Sequence, residues 1–500
     1  MERSTPRLFQ CRLFQWRLFQ GKAALGALLA LSLLTLPLAI GCGPESSAPE
    51  PVDGDDSSIC SWTADFAFNE ESLPFFFDLN ASYLYLFAPI NENVAYKIEG
   101  EMPYAAYTSY TTYQDNYPYA SLSDSSYVMD EGSENPFITG NLIQGTPRNY
   151  TIYVTPDYDS AVNQGKSNAL ALPNEQDGEL PPIIMMRSYY PERSNPTTGA
   201  DFNSSSSYDR RGYVDQPTIT AVLPDNLDTT TSCPDTSGID PVKPELDLGD
   251  LPPEPDEGRL RWDRPPLNIV RWAGAGGISA DGTEAPDPDS TCTGYLLSAV
   301  YEQDKMAITT ITTIPTIFDN VDINEDSTFP SDPEVRYFSV ASYGSELLSY
   351  PDQVVAGVDI VTVSDAFVVQ YPASFTSTDV ATVQAWASAN LFATIPMSGY
   401  RTGEDFVPPV FIYRNKEVKS GFAGSIRSDV PCYSKDDGNW GNSPASNAAS
   451  TSNMGNYAPI SLVCESVESP VSEEQLEVCL EDLLAIVYTE TDGAAGKAKS

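Results

Sequence analysis

The stretch Pro181-Pro182-Ile183-Ile184-Met185-Met186-Arg187-Ser188 recurs without gaps as Pro408-Pro409-Val410-Phe411-Ile412-Tyr413-Arg414-Asn415. Both copies keep the proline pair, four apolar positions and the arginine. A short apolar run bounded by proline and a polar residue is typical of a buried β-strand. Because self-similarity is the sequence signature of a repeated architecture, the match indicates that one domain occurs twice in the chain.

Further matches in the same order extend the repeat. Residues 105–113 parallel residues 335–343, and residues 83–103 align with residues 295–315. Between these blocks, short runs rich in Tyr, Thr, Val and Ile alternate with Pro, Gly, Asn and Asp, which is typical of β-strands and turns. We therefore predict an all-β fold of tandem duplicated β-sandwich or jelly-roll domains.

Two segments show helical periodicity instead. One follows Asp379, where Val380, Val383 and Trp386 form a narrow apolar face. The other is terminal: Ser472 and Gln475 have the spacing of a capping box, and apolar residues then recur at helical intervals. We predict a helix in the second copy and a short C-terminal helix.

Composition shifts divide the chain into segments. The stretch between the two copies is dominated by Pro, Asp, Glu and Gly, a composition that cannot bury a core and is typical of a linker. The predicted segments are a signal peptide at 1–41, a disordered tether at 42–58, the first β-sandwich domain at 59–233, a linker at 234–258, the second domain with its C-terminal helix at 259–488 and a disordered tail at 489–500.

The first 42 residues resemble a bacterial lipoprotein signal. Cys42 follows an apolar run that begins at Ala23, and basic residues precede that run: Arg3, Arg7, Arg12, Arg17 and Lys22. The resemblance implies lipidation of Cys42, and Gly43 in place of Asp implies export to the outer membrane or cell surface, with the membrane as a partner through the lipid anchor. The alternative is a single membrane-spanning helix, since the apolar run is nearly long enough to cross a bilayer.

Cysteine usage fits an exported protein. Apart from Cys11 and Cys42, the chain contains Cys60, Cys233, Cys292, Cys432, Cys464 and Cys479. An even number outside the cytoplasm argues for three disulfides, with about 15 connectivities open from the sequence. We favour the pair Cys60 and Cys233, which brackets the first domain. Cys479 lies on the apolar face of the terminal helix, where a disulfide would pin that helix.

Charge and residue inventory exclude several functions. The chain has 27 basic and 70 acidic residues, a formal net charge of −43, so we expect no nucleic-acid partner. It contains no histidine, which excludes Ser-His-Asp and Cys-His hydrolysis and HExxH zinc proteolysis. The catalytic chemistry still open is that of a carboxylate pair, as glycosidases use.

Tyrosines unmatched between the two copies are candidates for binding. Tyr104 and Tyr110 face Glu334 and Val340 in the aligned copy, and together with Tyr117 and Tyr119 they predict an aromatic platform suited to sugar rings. The alternative is ordinary aromatic packing between the sheets.

An acidic insertion in the second copy is a candidate calcium site. Its oxygen-bearing side chains are Asp319, Asp322, Asn324 and Asp326. Hard oxygen ligands at such spacing suit calcium, although Ser327 and Pro333 replace the glycine and glutamate of an EF-hand. The alternative is a plain solvated acidic loop, and we expect no other cofactor.

The two repeated arginines, Arg187 and Arg414, fall on the strand face that ordinarily points inward. A buried guanidinium requires a partner, so we predict that each pairs with a carboxylate of its own domain.

The repeated blocks resemble a family of uncharacterised bacterial exported proteins built from paired β-sandwich modules, over most of residues 60–480. The resemblance implies the fold and supplies no catalytic residues. We predict a non-catalytic envelope-anchored protein for binding, adhesion or scaffolding, with a glycan or a protein as partner. The alternative is a carboxylate-dependent glycan-processing hydrolase.

Overall fold

The structure is a computed structural model of the 500-residue chain. The described residues are 57–67, 81–114, 117–138, 141, 147–174, 181–191, 195–196, 198, 200–203, 206–236, 239, 259–260, 294–299, 304–313, 335–343, 349–356, 366–397, 410–418 and 457–497. The predicted signal peptide with Cys42, the calcium loop at Asp319, Asp322, Asn324 and Asp326, and the cysteines Cys292 and Cys432 lie outside these residues.

The first half of the chain, residues 57–239, forms two sheets. Its strands are β1 (Ile59–Cys60), β2 (Ala64–Ala67), β3 (Ala81–Phe87), β4 (Ala95–Glu101), β5 (Ala105–Gln114), β6 (Tyr117–Ser123), β7 (Asn149–Thr155), β8 (Ala169–Ala171), β9 (Ile183–Pro191), β10 (Thr218–Leu223) and β11 (Asn226–Thr230). One sheet has the order β1-β10-β4-β7-β8, with β11 paired to β10, and the other has the order β2-β3-β9-β5-β6. Strand pairs are antiparallel except β7 and β8, which are parallel.

Short helical segments complete this half. They are a 3-10 helix at Asp124–Ser126, α1 (Tyr158–Asn163), which connects β7 to β8, and α2 (Ser207–Arg210), which lies between β9 and β10.

The second half, residues 259–497, also forms two sheets. Its strands are β12 (Arg259–Leu260), β13 (Gly294–Ala299), β14 (Met306–Ile311), β15 (Val335–Tyr343), β16 (Ser349–Ala356), β17 (Ala366–Tyr371), β18 (Ala393–Pro396), β19 (Val410–Val418) and β20 (Pro459–Cys464). The sheets have the orders β12-β20-β14-β17-β18 and β13-β19-β15-β16. As in the first half, one pair of strands is parallel. This pair is β17 and β18, which the helix α3 (Ser377–Ala389) connects.

The two halves have corresponding strand orders. The repeated stretch that begins at Ile183 is β9 and its counterpart at Val410 is β19, each in the middle of its sheet. The aligned blocks at Ala105 and Val335 begin β5 and β15. This correspondence is what a duplication predicts, although the duplication itself stays a prediction.

The all-β fold class is confirmed, and each half is a sandwich. In the first half, Leu84 and Met186 of one sheet share a core with Ile98 and Ile152 of the other. In the second half, Phe338 and Phe411 of one sheet pack in one cluster with Val368 of the other. Apolar burial between facing sheets therefore stabilises both halves.

Helices cover the outer face of one sheet in the second half. The core there joins Ile308 and Val369 to Trp386 of α3 and to Leu476 and Leu483 of α4 (Glu473–Lys497). The predicted capping box of α4 is present: the Ser472 N–H donates to Gln475 Oε1 at 2.8 Å. Among the described residues, no helix has both the length and the apolar character needed to cross a bilayer.

Two described elements extend beyond the predicted segment boundaries. The helix α4 continues past residue 488 to Lys497. At the other end, Ser58 belongs to the first half rather than to a tether: it is buried, and its carbonyl accepts the Ala221 N–H at 2.8 Å.

Two disulfides are present among the described residues. Cys60 pairs with Cys233, as predicted, and fastens the start of the first half to its end. Cys464 of β20 pairs with Cys479 of α4, so a disulfide pins the terminal helix to the sheet beneath it.

Candidate binding surface

Of the predicted tyrosine platform, the structure describes the side chains of Tyr104, Tyr110 and Tyr119. Tyr110 is fully buried between the sheets, where its hydroxyl lies 2.9 Å from that of Tyr150 and donates to Met186 Sδ at 3.3 Å. Tyr119 is partly buried and packs against the same core. The prediction that Tyr110 binds ligand is therefore wrong, because its position on β5 points into the sandwich. The side chain of Tyr117 is outside the described set.

Tyr104, another of the predicted tyrosines, lies beside charged side chains of the first half. It lies just before β5 and is half-buried, and the Arg148 guanidinium carbon stacks on its ring at 3.4 Å from the ring centre. A guanidinium over an aromatic face is a favourable cation–π arrangement. This contact fixes the plane of the Tyr104 ring.

Arg148 is a buried cation. Its side chain is 1% exposed, and Nη2 contacts Glu101 Oε1 at 3.3 Å, while the Glu101 side chain is 48% exposed. Within the described part of the chain, Nε and Nη1 have no hydrogen-bond partner. Burial lowers the pKa of Arg148 from its ordinary 12.5, and Tyr104 and Glu101 oppose this effect. Arg148 is thus a cation held in place, with donors left over.

The turn that contains α2 adds an exposed aromatic ring. Ser206 caps α2 by accepting the Asp209 N–H at 3.2 Å. Tyr208 on α2 is 41% exposed, and its ring centre lies 6.1 Å from that of Tyr213, edge to face.

Gly212 holds this turn against Tyr104. The Tyr104 N–H donates to the Gly212 carbonyl at 2.9 Å, and Gly212 has a φ of +74°. A Cβ at this position would lie 2.7 Å from the Tyr104 carbonyl oxygen. Only glycine satisfies both the backbone conformation and the close approach.

Charges of both signs surround the exposed ring. Burial, followed by the negative charges of Asp215 and Glu101, raises the pKa of Tyr208. Tyr208 in turn acts electrostatically on Arg148. We call this group, which is Glu101, Tyr104, Arg148, Tyr208 and Asp215, the Tyr104 surface. It combines two aromatic rings with a cation and two carboxylates.

The sequence carried weak signals for this surface. Tyr208 follows a run of serines at 204–207 and precedes Gly212, a pattern that indicates a turn but not a partner for Tyr104. Arg148 stands alone in the sequence, and nothing in its surroundings marks it as buried.

The predicted carboxylate partner of Arg187 is not among the described residues, and this pairing stays a prediction. Arg187 is buried, and its Nη1 donates to Thr111 Oγ1 at 3.3 Å while the guanidinium lies 5.3 Å from the Tyr113 ring centre. Hydroxyl and aromatic groups of β5 therefore form its described surroundings. The side chain of Arg414 is outside the described set.

The described carboxylates and cysteines form no cluster of the kind that binds a metal. The buried carboxylate Asp124 is held by Arg336 and by the Thr108 N–H at 2.6 Å, so its oxygens are already engaged within the fold.

Comparison with known proteins identifies neither a family nor a function for this chain. No protein-family model matches the chain, and no curated protein matches it. A crystal structure of an uncharacterized protein from Burkholderia cenocepacia matches with 11% identity over 71% of this chain and 78% of that one, at a TM-score of 0.38. The VPA0106 protein from Vibrio parahaemolyticus matches with 19% identity over 29% of this chain and 31% of its own, at a TM-score of 0.18.

Proposed function

We propose that this chain is an exported, lipid-anchored protein of the outer membrane or cell surface that binds glycans through the Tyr104 surface without chemical turnover. The observation that carries the proposal is the exposed Tyr208 ring beside the Tyr104 and Arg148 stack. Sites for small polar ligands combine aromatic faces with a few fixed polar groups, which is the composition of this surface.

Each group has a distinct role in this proposal. The exposed face of Tyr208 offers flat apolar area to the C–H face of a sugar ring, at low cost in side-chain entropy. Arg148 is 1% exposed, so its role is to fix the plane of the Tyr104 ring and not to contact the ligand. Glu101, half-exposed and tied to Arg148, accepts hydrogen bonds from hydroxyls.

Sequence features support the proposed location. The lipoprotein-like signal that ends at Cys42 precedes a Pro-, Ser- and Asp-containing stretch, and the first half of the fold begins by Ser57. A lipid on Cys42 would therefore tether the binding half within a short distance of the membrane. The acidic composition favours solubility and disfavours polyanionic partners.

The alternative function is a carboxylate-dependent glycan hydrolase. It is favoured by Glu101 and Asp215, which both act electrostatically on Tyr208. A hydrolase would use one of them as acid and the other as base or nucleophile.

The test is a glycan-array screen of the purified chain, with and without calcium, followed by mass analysis of the bound glycans. We expect binding without cleavage. Tyr208→Ala should lower the affinity at least about tenfold, because aromatic side chains at the centre of an interface carry much of the binding free energy. The matched control is Tyr488→Ala, since Tyr488 is 67% exposed on α4 and lies outside the Tyr104 surface.

The outcomes separate the alternatives. Cleavage that Glu101→Gln or Asp215→Asn abolishes would establish the hydrolase. Binding that Tyr208→Ala leaves unchanged would refute the Tyr104 surface, and a silent array would refute glycan binding altogether. Binding only with calcium, unaffected by Tyr208→Ala, would move the site to the loop at Asp319–Asp326.

A further inference from the structure

Arg336 belongs to β15 of the second half, but its guanidinium lies inside the first half. Nη1 pairs with Asp124 Oδ1, and Nη2 donates to Asp124 Oδ2 at 3.1 Å and to the Ala106 carbonyl at 2.7 Å. The Asp124 side chain is fully buried and that of Arg336 is 5% exposed. A buried ion pair with two engaged donors thus joins the halves.

The first half holds Asp124 ready for a cation. The 3-10 helix that begins at Asp124 directs its carboxylate toward the start of β5, where the Thr108 N–H donates to Oδ2 at 2.6 Å. Burial raises the pKa of Asp124, while Arg336 and the N–H groups of Thr108 and Ser125 lower it. Without Arg336, a buried carboxylate would lack a cation, and that is strongly unfavourable.

Aromatic contacts continue the same interface. The Arg336 guanidinium carbon lies 4.5 Å from the Phe137 ring centre and 5.7 Å from that of Tyr107. The adjacent Tyr337 packs on Tyr189 and Tyr190 of β9, with ring centres 5.4 Å and 6.4 Å apart. The start of β15 therefore docks on β5 and β9 of the other half.

Positions that are equivalent in the two halves meet in this contact. Ala106 is the second residue of β5, Arg336 is the second residue of β15, and Arg336 donates to the Ala106 carbonyl. Contact between equivalent positions is the property of a two-fold, homodimer-like interface. The residue at this position differs between the halves, since the first half has alanine and the second has arginine.

We infer that the two halves dock through a dimer-like interface, and that the Arg336–Asp124 pair restricts this interface to unlike halves. Two second halves would bring Arg336 against Arg336, and two first halves would bury Asp124 without a cation. Like charges and unpaired buried charges are the elements that reject wrong partners. The partner of the β5 surface is thus the second half itself, held by these contacts and not by the covalent connection alone.

The test is to cut the connection in the folded protein. A recognition sequence for a specific protease is inserted after Gly249 of the full chain, between the halves, and the purified protein is cleaved. A non-reducing denaturing gel then shows that no disulfide joins the fragments. We expect the fragments to co-elute in size-exclusion chromatography at micromolar concentration.

Variants identify the ion pair as the selective element. Arg336→Met is expected to weaken association of the cleaved halves by at least about 100-fold, because it leaves Asp124 buried and unpaired. Arg336→Lys, which keeps the charge but loses the forked donors, should be intermediate. The double variant Arg336→Met with Asp124→Asn should associate more tightly than Arg336→Met alone. The control Lys166→Met breaks an ion pair with Asp228 inside the first half and should leave association unchanged.

Circular dichroism and the intact disulfides establish that each variant is folded before cleavage. Separation of the unmutated halves after cleavage would overturn the inference. So would an Arg336→Met effect no larger than that of Lys166→Met, or homotypic association of second halves as strong as the mixed association.

Discussion

At the scale of single residues, a cluster of tyrosines shapes the interior of the first half. The ring centre of Tyr150 lies 6.0 Å from that of Tyr110 and 5.1 Å from that of Tyr127, and all three rings are buried. Burial raises the pKa of each of these phenols. They remain neutral packing groups, which explains why tyrosine content alone was a poor guide to a binding platform.

The tyrosine cluster also requires a glycine. Gly100 on β4 pairs with Tyr150 on β7, and a Cβ at Gly100 would lie 2.7 Å from the Tyr150 hydroxyl and 2.9 Å from Cζ. The Tyr150 hydroxyl is held by Tyr110, and the ring cannot retreat without losing that bond.

We therefore expect Gly100→Ala to lower the free energy of unfolding by about 1–3 kcal/mol, the usual cost of overpacking a core. Alanine in a strand would otherwise gain about 0.5–1 kcal/mol over glycine, so the sign of the effect is diagnostic. Urea unfolding measures it. The control Glu99→Ala, at a partly exposed neighbour in the same strand, should change stability by less than about 1 kcal/mol. A stabilising Gly100→Ala would contradict the packing described for Tyr150.

At the scale of elements, Asp379 fastens the two helices of the second half. It completes the capping box of α3 with Thr376, and its Oδ1 accepts the Val471 N–H at 2.8 Å while Oδ2 accepts the Ser469 hydroxyl at 2.7 Å. Val471 and Ser469 lie just before α4. The hydrogen bonds from Val471, Thr376 and Ser469 lower the pKa of Asp379 to about 2.

This contact predicts a pH-dependent loss of stability. The carboxylate has an ordinary pKa of 3.8 and a lower value in the fold, so its contribution is complete above about pH 4 and is lost as the pH falls toward 2. Asp379→Asn should be less stable than the parent at pH 7, and the difference should shrink at pH 3. Thermal unfolding followed by circular dichroism at both pH values checks this.

The matched control is Asp482→Asn, which removes an exposed carboxylate of α4. It should lower the midpoint of unfolding little at pH 7. If Asp379→Asn matched Asp482→Asn at both pH values, Asp379 would not connect α3 to α4.

The sequence predicted elements better than contacts between them. Both helices were readable because apolar periodicity, together with the capping box of α4, is a local property, and the repeated blocks marked strands β5, β9, β15 and β19. Whether Tyr110 points inward, and whether Arg336 meets a carboxylate of the other half, depends on register and on packing between halves. Such partners are distant in the chain, and no local pattern of residues encodes them.

At the scale of the whole molecule, each half contains an internal disulfide. The Cys60–Cys233 disulfide joins the two ends of the first half, and Cys464–Cys479 ties the terminal helix to the second. The Arg336–Asp124 pair crosses between them. Disulfides persist outside the cytoplasm, which agrees with the proposed export of this chain.

The proposed lipid anchor predicts where in the cell this molecule resides. If Cys42 carries a lipid, cells grown with a labelled fatty acid should yield labelled protein in the membrane fraction, since acyl chains supply the affinity for the bilayer. Cys42→Ser should abolish the label and prevent maturation, whereas the control Cys11→Ser, in the predicted signal peptide, should change neither. The competing possibility of a membrane-spanning helix makes the opposite prediction, because the apolar run from Ala23 would hold unlabelled Cys42→Ser protein in the membrane at its full, uncleaved mass. Label combined with cleavage before Cys42, both lost in Cys42→Ser, would therefore establish lipid anchoring.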